Sequence, residues 1–212
     1  MNSEHLHPET LAISSGRPSH KAGEGINAPI SLNSTFVAGG EINYGRTGNP
    51  TWHPLEETIS ALEEADATLL FSSGMAAITA VFSLLPHGAP VVASHEGYSG
   101  TMSLLKRYHD QGRLEVRFVD IADTAEVLSQ LQGAAFLWVE SPTNPGLAVA
   151  DVGTIIGEAK KRNMGVGFDN TFATPLNQKP LTFGADIVMH SVTKYLAGHS
   201  DVVLGSLSTK DP

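Results

Sequence analysis

The chain has 212 residues, of which 41% are hydrophobic and 17% charged, so it can bury one sizeable core and is not disordered. Its formal net charge of −9 argues against nucleic-acid binding, which needs clustered basic residues. The absence of cysteine excludes disulfides, thiolate metal sites and a cysteine nucleophile.

The N-terminal residues are polar and lack the apolar stretch of a signal peptide. No apolar run approaches the ~20 residues that a membrane helix needs, so we expect a cytoplasmic protein that does not bind membranes. Residues 1–50 are rich in Gly, Pro, Ser and Asn and show little periodicity. They are predicted to be an extended arm, disordered or laid across a partner, and residues 51–212 the folded domain.

Helical and strand patterns alternate after the arm. Leu55, Ile59 and Leu62 fall on one helical face, and apolar spacing indicates four further helices near 78–85, 102–108, 127–131 and 152–159. Asp123, with Glu126, and Asp151 are candidate caps for the last two of these helices. Short apolar runs predict strands at 67–71, 90–94, 114–119, 135–139, 165–168, 185–189 and 202–207. The alternation predicts an α/β fold, a mostly parallel sheet with helices on both faces.

Polar residues follow several of these strands, at the edge where such sheets bind ligands. Ser73, Gly74 and Met75 lie between a strand and a helix, where a glycine admits a ligand and the helix offers free N–H groups. They form a candidate phosphate site, with an ordinary cap serine and turn glycine as the alternative. No GxGxxG or GxxxxGK[ST] motif is present, so a dinucleotide or nucleoside triphosphate is not favoured.

Two charged residues at strand ends are candidates for binding a cofactor. A buried carboxylate at Asp169 needs a cation such as a protonated pyridine nitrogen, although a turn or helix-cap aspartate fits the same pattern. Lys194 near a phosphate site can form an imine once it is deprotonated. The hydroxyls of Ser191 and Thr193 can bind the phosphate of the same cofactor. A surface lysine is the alternative for Lys194.

Aromatic and basic residues supply further candidates. Tyr98 follows a strand and can stack on a planar cofactor, or is simply a partly buried tyrosine. Tyr44 and Arg46 in the arm suit a phosphate, or anchor a loop through a surface ion pair. The histidines at 87, 109, 190 and 199 lack metal-ligand spacing, so no metal site is expected. No G-x-S-x-G elbow supports a serine hydrolase.

In combination these segments resemble the cystathionine synthase/lyase family, the Cys/Met-metabolism branch of fold-type I pyridoxal-phosphate enzymes. The resemblance covers residues 9–211 and is carried by five segments in the family's order and spacing: 44–51, 72–76, 140–145, 169–172 and 190–201. One departure is Tyr98-Ser99-Gly100-Thr101, where the family usually has Tyr-Gly-Gly-Thr.

The resemblance implies pyridoxal 5'-phosphate as the cofactor, with Lys194 as the Schiff-base lysine and proton shuttle. Asp169 would pair with the pyridine nitrogen, and Tyr98 would stack on the ring and assist acid–base steps. Asn144 would lie near the cofactor's phenolic oxygen or the substrate carboxylate. Thr171 and Glu140 would lie behind the residues that contact the cofactor. The phosphate ligands would be the segment Ser73, Gly74 and Met75, the hydroxyls of Ser191 and Thr193, and Tyr44 and Arg46 of a neighbouring subunit.

The activity favoured by this resemblance is that of a cystathionine γ-synthase, in which cysteine replaces the γ-substituent of an O-acylated homoserine in methionine biosynthesis. Cystathionine γ-lyase and methionine γ-lyase are alternatives, as are a non-catalytic cofactor-binding fragment and a plain α/β binding domain. Family members continue into a C-terminal domain that binds the substrate carboxylate, so residues 1–212 alone are expected to turn over little substrate. The full-length protein is expected to be a homotetramer, a dimer of dimers.

Overall fold

The computed structural model describes residues 6–211, which contain one seven-stranded sheet. The strands are β1 Ala67–Phe71, β2 Ala89–Ser94, β3 Leu114–Val119, β4 Phe136–Glu140, β5 Gly165–Asp169, β6 Ile187–His190 and β7 Gly205–Thr209. The helices are α1 Pro8–Ser14, α2 His53–Glu63, α3 Gly74–Ser83, α4 Ser99–Asp110, α5 Thr124–Gln130, α6 Val152–Lys161 and α7 Thr174–Asn177. A 3₁₀ turn spans Pro180–Phe183. None of these helices is long and apolar enough to cross a membrane.

The strand order is β1-β7-β6-β5-β4-β2-β3. Strands β3, β2, β4, β5 and β6 are parallel, whereas β7 runs antiparallel to both of its neighbours, β6 and β1. The mostly parallel α/β sheet predicted from the sequence is therefore confirmed. Its parallel strands end at one edge, which brings the polar residues after β4, β5 and β6 together.

Helices cover both faces of the sheet. Leu137 and Val139 of β4 pack in a cluster with side chains of α5 and α6. Phe136 and Trp138 of the same strand pack in a second cluster with α3 and α4. Successive strand residues point to opposite faces, so the two clusters lie on either side of the sheet, as predicted. The ring of Phe82 lies 5.1 Å from that of Trp138 and ties α3 to β4.

The N-terminal segment is not wholly extended. Residues 8–14 form helix α1, which begins at a proline, a residue tolerated in the first turn of a helix. Its buried Leu11 faces the domain, and α1 contacts α2. The sequence analysis missed this helix, and residues 1–5 of the predicted arm lie outside the described residues. The domain boundary at residue 50 stays a prediction.

Strand β7 begins later than the pattern at 202–207 predicts. The hydroxyl of Thr193 accepts a hydrogen bond from Leu204 N at 3.0 Å and donates one to Leu204 O at 3.1 Å. These bonds occupy the backbone of Leu204, so pairing with β1 and β6 starts only after it. The shift matters because Gly205 then lies against the turn before α3.

Both predicted helix caps are present. Asp123 Oδ1 accepts from Glu126 N at 3.0 Å, and Asp151 Oδ1 accepts from Thr154 N at 3.2 Å. The reciprocal half of the capping box is absent at α5, because Glu126 Oε2 accepts instead from Asp120 N.

Arg113 binds the carbonyl groups that follow helix α3. Its guanidinium donates to Leu85 O at 2.7 Å, Pro86 O at 3.0 Å and Phe82 O at 3.3 Å. A cation at a helix C-terminus also complements the helix dipole. We expect Arg113→Ala to lower the free energy of unfolding by about 1–3 kcal/mol, since charged hydrogen bonds to free carbonyls are lost.

Urea denaturation measures this change, and Arg107→Ala is the matched control because Arg107 is exposed on α4 and bonds no carbonyl after α3. Equal stability of the two variants would mean that water replaces the guanidinium without cost.

Candidate active site

The polar strand ends meet in one pocket of about 240 Å³. It lies at the carboxyl ends of β4, β5 and β6, beside the start of α3. Every site residue predicted from the sequence lines it except Tyr44 and Arg46; the members are Ser73, Gly74, Met75, Tyr98, Asn144, Asp169, Thr171, Ser191, Thr193 and Lys194. Residues far apart in the chain, predicted separately, are therefore brought together by the sheet.

Tyr44 and Arg46 lie in the N-terminal segment and do not line this pocket. The guanidinium of Arg46 lies 5.1 Å from the centre of the Tyr44 ring. The Tyr44 side chain is substantially exposed. Their predicted role in a neighbouring subunit is not tested by the single chain.

The start of helix α3 presents free N–H groups to the pocket. Ser73 caps the helix, since its Oγ accepts from Ala76 N at 3.1 Å. Among residues 6–211, the N–H groups of Gly74 and Met75 have no acceptor. A Cβ atom at Gly74 would lie 3.0 Å from Cβ of Ser191, so glycine permits the close approach of these two segments. The turn therefore offers free N–H donors of the kind that suit an anion, and Ser191 forms a second wall beside them.

Gly205 is a site residue that the sequence analysis missed. A Cβ atom on it would lie 2.3 Å from Ser73 O, closer than any real contact allows. Strand β7 can therefore approach the Ser73–Gly74 turn only with glycine at this position. No local sequence signal reveals this contact, because it joins segments more than a hundred residues apart.

The hydroxyl groups of the pocket have different partners. Thr171 Oγ1 accepts from Ser191 N at 2.8 Å, which links the ends of β5 and β6. The Thr193 hydroxyl donates to Leu204 O, whereas the Ser191 hydroxyl makes no hydrogen bond within the described part of the chain. Ser191 is thus the readier donor for an anion at the start of α3.

Asp169 is a buried carboxylate that forms no salt bridge among the described residues. It is 6% exposed, and its Oδ1 accepts from Thr171 N at 3.0 Å. Burial raises the pKa of Asp169, while hydrogen bonds from Thr171 and the charge of nearby His190 lower it. The carboxylate is thus prepared for a cation that enters the pocket.

Glu140 also lines the pocket, whereas the sequence predicted that it lies behind the residues that contact the cofactor. It pairs with Asp169 across the parallel strands β4 and β5. Both its oxygens accept from Tyr98 N, at 3.0 and 2.9 Å, and Oε1 accepts from Asn144 N at 2.7 Å. Burial, followed by repulsion from Asp169, raises the pKa of Glu140 to about 7. Glu140 therefore fixes the backbone of Tyr98 and Asn144, both predicted ligands.

Lys194 is the one cationic side chain among the described residues that line the pocket. It lies in a tight turn held by Lys194 N to Ser191 O at 3.0 Å and Gly198 N to Lys194 O at 2.8 Å. The turn is anchored by Val192, which is 2% exposed. No carboxylate of residues 6–211 forms a salt bridge with its amine, so Nζ is not held by an ion pair.

These groups fit pyridoxal phosphate. The free N–H groups of α3 and the Ser191 hydroxyl suit its phosphate, and the buried Asp169 suits a protonated ring nitrogen. The amine of Lys194 opens into the same cavity. Within residues 6–211 no cluster of three His, Asp or Glu is arranged to hold a metal ion.

Comparisons with known proteins agree on one family. The sequence model of "Cys/Met metabolism PLP-dependent enzyme" matches residues 9–212. A probable cystathionine gamma-synthase of Herpetosiphon aurantiacus is 38% identical over 95% of this chain and 65% of its own length. Cystathionine gamma-lyase of Dictyostelium discoideum is 39% identical over 95% of this chain and 54% of its own length.

The fold has a close match among solved structures. The crystal structure of metB from Corynebacterium glutamicum superposes with a TM-score of 0.93 at 36% identity, and the match covers 100% of this chain. It covers 57% of the metB chain. The chain thus spans about half to two thirds of the length of the proteins it matches.

Proposed function

Since the chain belongs to the Cys/Met metabolism family of pyridoxal-phosphate-dependent enzymes, we propose that the pocket at the ends of β4, β5 and β6 is its catalytic site. One observation carries the proposal. A lysine, a buried carboxylate that forms no salt bridge and a helix N-terminus with free N–H groups share one cavity. Pyridoxal phosphate, when bound, supplies an electron sink for negative charge at the substrate's α-carbon.

Lys194 is the proposed catalytic residue. Its Nζ would hold the cofactor covalently through the cofactor's carbonyl carbon, whose oxygen leaves as water, and as a free amine it would take the proton from the substrate's α-carbon. The neighbouring carboxyls of Glu140 and Asp169 lie in the same pocket and set the local electrostatic field. The tight turn after Val192 fixes the backbone of Lys194, and the side chain of Lys194 lines the pocket.

The other pocket residues would bind and orient the cofactor. Asp169 would hold the proton on the ring nitrogen, and Tyr98 would stack on the ring face. Backbone N–H groups of Gly74 and Met75, with the Ser191 hydroxyl, would bind the phosphate. The remaining proposed contacts are Asn144 near the ring's phenolic oxygen or the substrate carboxylate, Thr171 as the link between β5 and β6, and Ser73 and Thr193 at the phosphate.

Tyr44 and Arg46 are proposed to complete the phosphate site of a neighbouring subunit, which requires at least a dimer. We expect Arg46→Ala to weaken the binding of pyridoxal phosphate about tenfold, because a charged hydrogen bond to phosphate is worth roughly 1.5–3 kcal/mol. An absorbance titration measures the loss, with Arg17→Ala, also in the N-terminal segment, as the control. Unchanged affinity in a monomeric Arg46→Ala protein would contradict the proposal.

For the whole protein we propose cystathionine γ-synthase activity: the thiol of cysteine replaces the acyloxy group of an O-acylated homoserine, and the free acid leaves. Cystathionine γ-lyase is the second candidate, because relatives of both names match over most of the chain. A cytoplasmic location, a role in methionine biosynthesis and assembly as a homotetramer are further parts of this proposal.

Two incubations distinguish the candidates. With pyridoxal phosphate, O-succinylhomoserine and cysteine, a synthase releases succinate and forms cystathionine. With cystathionine alone, a γ-lyase forms cysteine, ammonia and an oxo acid. Mass spectrometry of both mixtures identifies the reaction, and cleavage of cystathionine without net synthesis would favour the lyase.

A further inference from the structure

A network of polar side chains lies beside the pocket and includes none of the residues to which a role was assigned above. Its centre is Glu63, the last residue of α2, which is 0% exposed. Glu63 Oε1 accepts from Asn170 Nδ2 at 2.8 Å and is 2.5 Å from His190 Nε2. Asn170 and His190 are themselves buried. The network joins helix α2 to the ends of β5 and β6.

The two partners of Glu63 adjoin proposed cofactor ligands. Asn170 directly follows Asp169, and His190 directly precedes Ser191. The two strand ends are also linked to each other through Ser191 N and Thr171 Oγ1. One carboxylate therefore holds the side chains of the residues next to Asp169 and Ser191, where the ring nitrogen and the phosphate would bind.

Stability alone does not account for a buried charge at Glu63. Removing a carboxylate from water is costly, and well-packed apolar residues often match or exceed the stability of a buried ion pair. Here Glu63 Oε2 and His190 Nδ1 have no hydrogen-bond partner among the described residues. A group retained with unsatisfied buried atoms is a reason to seek a functional role.

We propose that Glu63 is a positioning residue of the cofactor site, which acts through Asn170 and His190 to hold Asp169 and Ser191 in place. The inference rests on the proposed function, since it assigns Glu63 to the pyridoxal-phosphate pocket. Residues that support the binding side chains affect the affinity for the cofactor, because loosely held binding side chains bind more weakly.

Electrostatics support the same role. The charge of nearby His190 lowers the pKa of Asp169, and Glu63 Oε1 is the atom that faces His190 Nε2. Gln178 contacts Asn170 through its backbone carbonyl and its side-chain amide, and Asp169 is a charged neighbour of His190. Through His190, Glu63 thus opposes part of the effect of burial, which disfavours the ionised form of Asp169.

The test is Glu63→Gln, which keeps the shape and one acceptor oxygen but removes the charge. We expect the dissociation constant of pyridoxal phosphate to rise about tenfold, comparable to the 10- to 100-fold loss when partners behind a metal ligand are removed. The pH dependence of the bound cofactor's visible absorption should also shift, because Asp169 is less strongly ionised. Glu64→Gln is the matched control, since Glu64 is exposed and pairs with Lys179 on the surface.

A Glu63→Gln protein with a lower melting temperature but wild-type cofactor affinity and pH dependence would have lost only stability, and the proposal would be wrong. If this variant does not fold, Gln178→Ala carries the test. Gln178 is half-buried and bonds Asn170 Oδ1 at 3.0 Å from outside the network. It should weaken the cofactor's binding severalfold, and unchanged affinity would again overturn the proposal. Failure of the wild-type protein to bind pyridoxal phosphate would instead refute the proposed function.

Discussion

Replacing Lys194 by alanine is expected to abolish covalent attachment of pyridoxal phosphate and to lower turnover by the whole protein about 10³-fold or more. No other cationic side chain of residues 6–211 lines the pocket, so no neighbouring amine can take its place. Borohydride reduction of the cofactor-loaded wild-type chain should add the mass of the cofactor to the peptide that contains Lys194, and no peptide of the variant should gain it.

Two further variants separate the roles of this lysine. Lys194→Arg keeps a positive charge beside Glu140 and Asp169 but cannot form the covalent bond, so it should also lose the reducible attachment. Lys106→Ala removes an exposed lysine that pairs with Asp110 on α4 and should behave as wild type. A Lys194→Ala chain that still gains the cofactor's mass would refute the assignment.

The sequence was informative about the site because its chemistry is local. Each predicted ligand except Tyr44 and Arg46 follows a short apolar run, and such runs predicted six of the seven strands to within two residues. In a parallel sheet the ends of such strands meet, so Asp169, Ser191 and Lys194 converge once the strands are placed correctly.

The features that the sequence analysis missed depend on contacts between distant segments. Gly205 matters only because β7 lies against the turn after β1, and its antiparallel direction has no sequence signature. Glu63 and His190 are separated by 127 positions, and each on its own resembles an ordinary polar residue of a helix or a strand. Such pairings follow from the register of the whole sheet.

The pocket combines two adjacent buried carboxyls with one flexible amine. In the cofactor-free protein this arrangement is unfavourable, because Glu140 and Asp169 are desolvated and repel each other. A cationic ring nitrogen would relieve that repulsion, which would favour binding of the ligand. The same reasoning predicts how stability depends on pH.

The cofactor-free protein is expected to lose stability as the pH rises from about 4.5 to above 7. The pKa of Glu140 is about 7 in the folded protein, against an ordinary value of 4.5. Between these values the folded state binds more protons than the unfolded state, so the free energy of unfolding falls with rising pH. A difference of about 2.5 pKa units corresponds to roughly 3 kcal/mol at most. Asp169, whose pKa is also raised, contributes in the same direction.

Urea denaturation of the cofactor-free protein at pH 5 and pH 8 measures the fall in the free energy of unfolding. The Glu140→Gln substitution should largely remove this fall. Glutamine keeps an acceptor for Tyr98 N and Asn144 N but does not titrate. Glu158→Gln is the control, because surface hydrogen bonds from Lys161 and Arg162 lower the pKa of Glu158 and place its titration below this range. An equal fall in wild type and Glu140→Gln would show that Glu140 does not titrate near pH 7.

Pyridoxal phosphate should reduce this fall in the wild-type protein, because the positive ring nitrogen favours the ionised forms of both carboxyls. In the Asp169→Asn variant without cofactor, the free energy of unfolding should already fall less between pH 5 and pH 8. The reason is that repulsion from Asp169, which helps raise the pKa of Glu140, is gone. The cofactor should then change this fall little, because the residue that holds the ring nitrogen is missing. A cofactor effect of equal size in wild type and Asp169→Asn would mean that the ring nitrogen binds elsewhere.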